Sequence, residues 1–462
     1  MTYRAPELEI PLEDPFVNDI LDRKNIVEFL AKFIDKVDGP FVLTLDSPWG
    51  TGKTTIVKML EAVLKNANYS CIYFNAWKID YITDPIVALV SSIDQLKFEE
   101  TEDKTKFKKH VDKVKKVTSL IAKRSIVTAV KTLTFNALDL EEEVETAIAE
   151  FSGDSMKDIV DAFQEESSLL NKFHSELELA VKQLPSLNKK EKLIFFIDEI
   201  DRCRPTFAIE MLERIKHLFD VPNIIFVLSI DKAQLQSGIS AVYGSNINSL
   251  EYLRRFIDLE YTIPKVKTNK FIESLFVKFK IDDALNARSK NPELQYDKPN
   301  LVETFSFLAE TTSMTLRAQE RCITRLKVVL DQTPDNHYLV PHFTALLIVL
   351  RTKNLELYTQ LCSGAIGSTE VMEYLNTISP NKNMDEHLML IIHAYLILLD
   401  KNEQRKKAAR ENLTKMIENE QKLNLTNTRN MKLMGMIENV YRLSQSSFDY
   451  IANKIDLASN LN

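Results

Sequence analysis

Residues 47–55 read SPWGTGKTT, and the fold turns on how they are read. They nearly match the phosphate-binding pattern G-x-x-x-x-G-K-[ST], with Ser47 where that pattern has its first glycine. The flanks supply the setting that gives the pattern meaning. FVLTLD (41–46) is a short apolar run of strand type, and TTIVKMLEAVLK (54–65) carries apolar residues at helical spacing. In a strand–loop–helix of this kind, Gly50 and Gly52 let backbone N–H groups turn inward around phosphate oxygens. The helix start adds partial positive charge. Lys53 is placed to reach β- and γ-phosphates, and Thr54 to ligate Mg²⁺. Ser47 is small enough for the turn, so the substitution weakens the pattern without removing its chemistry. Ser47, Pro48, Trp49, Gly50, Thr51, Gly52, Lys53, Thr54 and Thr55 are therefore the candidate nucleotide-binding residues. A glycine turn that merely caps a helix is the plain alternative.

Further apolar runs repeat the strand signal: CIYFNAW (71–77), LIFFID (193–198), IIFVLSID (224–231) and FIDLEYTI (256–263). They alternate little, as strands covered on both faces do. Helical patterns such as TFAIEMLERIKHLF separate them, so the expected class is α/β with a parallel P-loop NTPase sheet. LIFFIDEIDRC (193–203) then gives the second half of a nucleotide site. Asp198 ends a strand at the edge where open α/β sheets collect ligands. It would hold Mg²⁺ through water, and Glu199 would orient and polarise the attacking water. Asp201 and Arg202 are close enough to join the metal shell or a subunit contact. Surface acids after a strand are the bland reading of this stretch taken alone.

Composition bounds the rest. The chain has 462 residues, too many for one ordinary core, so two or three domains are expected. Hydrophobic residues at 45% and charged residues at 27% fit a globular chain. A net charge of −7 argues against a general nucleic-acid binder. The four cysteines lie far apart in sequence and read as reduced thiols, which with the absence of a leader-like N-terminus suggests a cytoplasmic protein. Dispersed histidines make a zinc site unexpected. LMLIIHAYLILL (388–399) is too short to span a bilayer and reads as a buried helix.

The interval from Lys53 to Asp198, 145 positions, is longer than two crossovers need. Residues 100–190 read as a helical insertion into a core of 1–99 and 191–265, followed by a helical lid (266–335) and a helical C-terminal domain (336–462). The insertion is split by charge. Ten bases and one acid lie between Lys104 and Lys131, and six acids and no base between Asp139 and Glu150. Three readings stay open for 104–131: a helix docking on nucleic acid or anionic membrane, a hairpin whose bases face those acids, and a solvated face.

These motifs together resemble the KAP family of P-loop NTPases, related to AAA+ and STAND ATPases. SPWGTGKTT looks like its phosphate loop, CIYFNAWKIDYITDPIVALVSSI like its second strand and following helix, and FFIDEIDRC like its acidic motif. FVLSIDKAQL and EYLRRFIDLEYTIP resemble its later strands, so the likeness spans residues 20–335. Two departures matter. The family often inserts membrane-spanning helices between its nucleotide motifs, whereas this insertion is charged. It also commonly has Asp-Asp where this chain has Asp198-Glu199, which leaves open whether Glu199 or Asp201 positions the water.

The resemblance implies ATP and Mg²⁺ as ligands and hydrolysis as the chemistry. By analogy with related ring-forming ATPases, Ser229 or Asp231 senses the γ-phosphate. Arg254 or Arg255 is a finger acting across a homo-oligomer, and Arg317 is the arginine of a helical lid. Solvated or paired surface arginines are the ordinary alternative. Trp77 reads as core packing, while Trp49 either packs or shields phosphates. The implied role is a switch or motor in a prokaryotic phage-defence system, with a protein partner or effector on the C-terminal helices. A nucleotide-dependent assembly scaffold with little turnover and a peripheral membrane-associated NTPase stay open beside it.

Overall fold

Four apolar strands and a short edge strand build the sheet. The computed structural model describes residues 9–19, 21–82, 84–135, 153–265, 267–378, 385–441 and 447–456. The strands are β1 (Phe41–Asp46), β2 (Ser70–Asn75), β3 (Leu193–Asp198), β4 (Ile224–Ile230) and β5 (Leu259–Thr262). They are parallel, in the order β2-β3-β4-β1-β5. Residues of β3 and β4 are buried without exception, because helices cover both faces. β5 departs from the expectation of a buried strand. It pairs only with β1 at the sheet edge, Leu259 is 42% exposed, and Glu260 pairs with Lys232. A charged residue there also blunts the free edge.

One face of the sheet packs against α1 (Lys24–Lys36) and α2 (Lys53–Asn66) through Leu43, Leu45, Ile194, Phe196, Ile225 and Val227. The other packs against α3 (Pro85–Ser91) and, beyond the hairpin helices α4 (Glu102–Phe135) and α5 (Gly153–Lys182), α6 (Pro205–Leu218). Asp84 caps α3 by accepting from the Ile86 amide, and Pro85 supplies the fixed φ of its first turn. After β4 follow α7 (Lys232–Tyr243) and α8 (Ser249–Arg254).

The hairpin is part of this packing. Phe107, Val111, Val114, Val117 and Ile121 form a stripe at helical spacing along α4, buried against Phe173, Leu177, Ala180 and Val181 of α5. Among the described residues, bases of α4 pair with acids on α5 and on the turn after α3. His110 Nδ1 and Lys113 Nζ lie 2.6 and 2.8 Å from Glu176 on α5, and Lys115 lies 2.6 Å from Asp94. The acidic run 139–150 and the tail beyond 456 lie outside the described residues.

The described residues divide into two compact units at Pro264/Lys265. The second is helical: α9 (Thr268–Lys278), α10 (Ile281–Arg288), α11 (Asp297–Thr311), α12 (Leu316–Asp331), α13 (Pro341–Lys353), α14 (Leu355–Ser363), α15 (Ser368–Ile378), α16 (Glu386–Leu398), α17 (Glu403–Lys422), α18 (Arg429–Tyr441) and α19 (Phe448–Asp456). One apolar core joins Ile272 to Ile455. α13 is its axis, buried on all sides from Pro341 to Leu350. The LMLIIHAYLILL stretch forms most of α16 and is the buried helix its composition suggests. Among the described residues no helix is long and apolar enough to cross a membrane.

Candidate nucleotide site

The phosphate loop joins β1 to α2. Gly50 and Gly52 have φ of 77° and 88°, a left-handed backbone that favours glycine and explains why these two positions carry it. Ser47 does not have positive φ, so the turn makes no demand for glycine there. Its hydroxyl does structural work instead. Ser47 Oγ donates to Thr51 Oγ1 at 2.8 Å, which donates on to Pro48 O at 2.8 Å. The Lys53 ammonium is buried within the loop and donates to Ser47 O at 2.5 Å. Burial presses its pKa below the usual lysine range, while Asp201, Asp231, Asp198 and Asp46 pull it back up.

Asp198 ends β3, buried on the α2 side of the sheet. One carboxylate oxygen accepts from Thr54 Oγ1 and Tyr73 Oη, both at 2.8 Å, and the other from the Glu199 amide at 3.0 Å. Burial and the Asp198 charge push the Tyr73 phenol well above its ordinary pKa, so it stays a donor. Glu199 itself has φ of 63°, a left-handed conformation that costs a non-glycine residue roughly 1 kcal/mol. Strain of that kind concentrates at functional sites. Its carboxylate accepts from Asn75 Nδ2 at 2.9 Å and pairs with Arg202 Nη1 at 2.7 Å.

Asp201 and Asp231 tie the loop to the neighbouring strand ends. Asp201 Oδ2 accepts from Trp49 Nε1 at 2.5 Å and from the Asp231 amide at 2.9 Å. Burial pushes the Asp201 carboxyl above its ordinary range, against the pull of Lys53. Asp231 Oδ2 accepts from the Trp49 amide at 3.1 Å, and Oδ1 caps α7 through Gln234. Ser229 differs: it pairs in register with Asp198, is fully buried, and its hydroxyl has no partner among the described residues. A buried hydroxyl without a partner needs a ligand or water to satisfy it.

The structure thus brings together Ser47 to Thr54, Asp198, Glu199, Asp201, Ser229 and Asp231. It does not bring Arg254, Arg255 or Arg317 into that cluster among the described contacts. Arg254 pairs with Glu251, and Arg255 lies 5.8 Å from the Tyr252 ring. Arg317 is exposed on α12 in the second unit. Trp77 corrects the expectation of core packing. It is 54% exposed because the chain leaves the sheet at Ala76, and its ring faces Arg202. Trp49 is 40% exposed, and its ring also lies within cation–π range of the Arg202 guanidinium. Sequence reading missed Asn75, Tyr73 and Asp46. Polar residues on or ending apolar strands, at the edge where Asp198 sits, were the available signal.

This loop and acidic strand end, on this sheet order, agree with the comparison of the sequence with family models. The KAP family P-loop domain matches residues 23–332. The chain belongs to the KAP family of P-loop NTPases. Among solved structures, a DNA replication initiation factor is similar at 10% identity and a TM-score of 0.27, over 80% of this chain and 96% of that one. No curated protein matches. As a KAP-family chain it carries a nucleotide-binding P-loop domain. Burial pushes Cys203 up to about 12 and Cys322 up to about 11, so neither is a ready nucleophile.

Proposed function

We propose that this KAP-family protein binds ATP with Mg²⁺ and hydrolyses it as a molecular switch or motor. The observation that carries the reading is the 2.8 Å contact between Thr54 Oγ1 and Asp198 Oδ2, which joins phosphate loop and acidic strand. One hydroxyl and one carboxylate suit Mg²⁺, which keeps several waters and takes its other oxygens from phosphates. Bound there, the ion would neutralise charge on β- and γ-phosphate oxygens. No cluster of three or more His, Cys, Asp or Glu among the described residues offers a fuller metal cage.

The chain's own residues divide the work as follows. Loop amides from Gly50 to Thr54 bind phosphate oxygens, and Lys53 adds a buried positive charge. Glu199 orients a water and accepts its proton as the water oxygen bonds to the γ-phosphorus. The bond from that phosphorus to the β–γ bridging oxygen breaks, giving ADP and inorganic phosphate. Asp201 stays bonded to Trp49 and the Asp231 amide and serves to hold the loop. Ser229, with its unpartnered hydroxyl, is a better γ-phosphate sensor than Asp231, whose carboxylate is already engaged. Arg254 or Arg255 would serve a neighbouring copy, and Arg317 would belong to a lid within 266–335. The C-terminal helices, 336–462, would meet a protein partner or effector, and the family suggests a cytoplasmic phage-defence setting. Acids pairing with Lys104, Lys106, Lys113 and Lys115 favour a packing role for the hairpin over nucleic-acid or membrane contact.

A second reading, a nucleotide-dependent scaffold with little turnover, is favoured by one observation. Glu199 has a partner at both carboxylate oxygens. The deciding experiment is ATP hydrolysis by wild type and Glu199→Gln, with native mass measured with and without ATP. Turnover lost in the variant while binding persists supports the ATPase. Tight binding with no turnover in either protein supports the scaffold.

A further inference from the structure

Arg202 connects three parts of the site. Its Nη1 lies 2.7 Å from Glu199 Oε1. Its guanidinium carbon lies 6.0 Å from the Trp49 ring centroid and 5.6 Å from that of Trp77, both within cation–π range. Trp49 belongs to the phosphate loop, Trp77 follows β2, and Arg202 follows β3. The side chain is 23% exposed, so the ion pair with Glu199 is only partly screened by water.

The chemistry of this contact has a direction. A guanidinium on a carboxylate engages its lone pairs and fixes its orientation, which leaves it less free to reach a water. Asn75 occupies the other oxygen at 2.9 Å and lies two residues before Trp77 on the same chain segment. Trp49, for its part, is fixed by its amide to Asp231 and by its indole N–H to Asp201. Its ring position therefore follows the backbone of the loop. A change in the loop at Trp49 would shift the ring that lies beside Arg202.

We propose that Arg202 is a positioning residue that holds Glu199 off the attacking water, and that Trp49 couples its release to nucleotide in the phosphate loop. This rests on the ATPase reading above. Arg202 touches neither nucleotide nor water in this scheme and acts only through Glu199.

The chain has two tryptophans, and both lie beside Arg202, so intrinsic fluorescence reports on its surroundings directly. The test uses the full chain as wild type, Arg202→Gln and Arg202→Lys. Calorimetry measures binding of the non-hydrolysable analogue AMP-PNP, tryptophan emission is recorded on the same titration, and ATP turnover is measured separately. Wild-type emission should change on binding. In Arg202→Gln that response should be lost, kcat should rise about tenfold, and affinity should stay within about threefold. Arg202→Lys keeps the charge but not the plane, so its kcat should fall between the two, and it carries the test if the glutamine variant melts early. Binding with an unchanged or lower kcat in both variants, or an emission response that survives in Arg202→Gln, overturns the proposal. Binding without turnover in all three proteins overturns it while leaving the nucleotide site intact. Failure of wild type to bind removes the site reading and this proposal with it.

Discussion

Thr54 Oγ1 donates to Asp198 Oδ2 at 2.8 Å, although the two residues are 144 positions apart. The contact places the first residue after the P-loop lysine against the end of β3. Asp198 also accepts from Tyr73 and the Glu199 amide, which fix its carboxylate where the cation would sit. Replacement by Asn keeps the shape and removes the charge. Asp198→Asn should therefore bind nucleotide with nearly the same affinity in EDTA as in Mg²⁺, whereas wild type should bind about tenfold tighter with the ion. Calorimetric titration under both conditions checks this. A variant that keeps the full Mg²⁺ dependence would remove Asp198 from the metal site.

Lys53 is the loop's buried cation, flanked by four aspartates. Its loss should cost the charge-assisted contacts to phosphate, each about 1.5–3 kcal/mol. Lys53→Ala should bind ATP roughly 10- to 100-fold more weakly without loss of secondary structure. Unchanged affinity measured by fluorescent-nucleotide displacement would sink the site.

Ser47 answers whether the missing glycine disables the loop. Its hydroxyl starts the chain Ser47–Thr51–Pro48, and its backbone needs no positive φ. Restoring the consensus by Ser47→Gly removes that hydrogen bond and adds freedom to the unfolded chain. Together these should lower stability by about 1–2 kcal/mol while affinity for ATP stays within about threefold. Urea unfolding and calorimetry read the two effects separately. A glycine variant that is more stable than wild type would show that Ser47 is tolerated rather than used.

What the sequence revealed and what it hid follow from how local each feature is. The loop, β3 and the acidic end were legible because each is a contiguous run with its own period or composition. Lys53, Thr54 and Asp198 needed only that context. Asn75 was not legible as a partner of Glu199, because β2 and β3 are adjacent only in the folded sheet. Arg202 lies three residues after Glu199, but only the folded turn after β3 shows that the two side chains meet. Trp77 misled for a related reason: the apolar run CIYFNAW continues past the strand end, where the chain turns outward at Ala76. FIDLEYTI read as buried because its composition is that of a strand, and composition does not distinguish an edge from a centre. The hairpin bases found Glu176 and Asp94, acids outside the run whose charge drew attention.

His342 makes the helical unit sensitive to acid. It is buried, and its Nδ1 lies 2.7 Å from Thr304 Oγ1. Burial, with some repulsion from His387, lowers its pKa to about 4 from 6.5. The unfolded chain therefore takes up a proton that the folded chain refuses. Stability from neutral His342 is fully present above about pH 6.5 and is lost as pH falls toward about 4. Asp297 acts in the opposite sense, since burial pushes it up to about 6, but it is common to wild type and variant. The stability of wild type relative to His342→Gln should fall by about 2 kcal/mol between about pH 7.5 and about pH 5. Urea unfolding of both proteins at the two pH values measures it, and a constant difference would refute the assignment.

Arg254 and Arg255 end α8 on the surface, engaged with Glu251 and Tyr252 rather than with the Lys53 cluster. Under the function proposed above, these arginines would stabilise transition-state charge on another copy of the chain. Fingers supplied in this way are worth about a thousandfold or more in turnover. Lys53→Ala keeps both arginines but lacks a working loop, and the double variant Arg254→Ala/Arg255→Ala keeps the loop but lacks the fingers. Each should be nearly inactive alone. Mixed, they should recover turnover that neither shows, because intact arginines of one copy can meet the intact loop of the other. ATP hydrolysis measured against mixing ratio gives the answer. A double arginine variant with wild-type turnover would remove both residues from catalysis. Inactive variants that fail to complement would place the finger within a single chain.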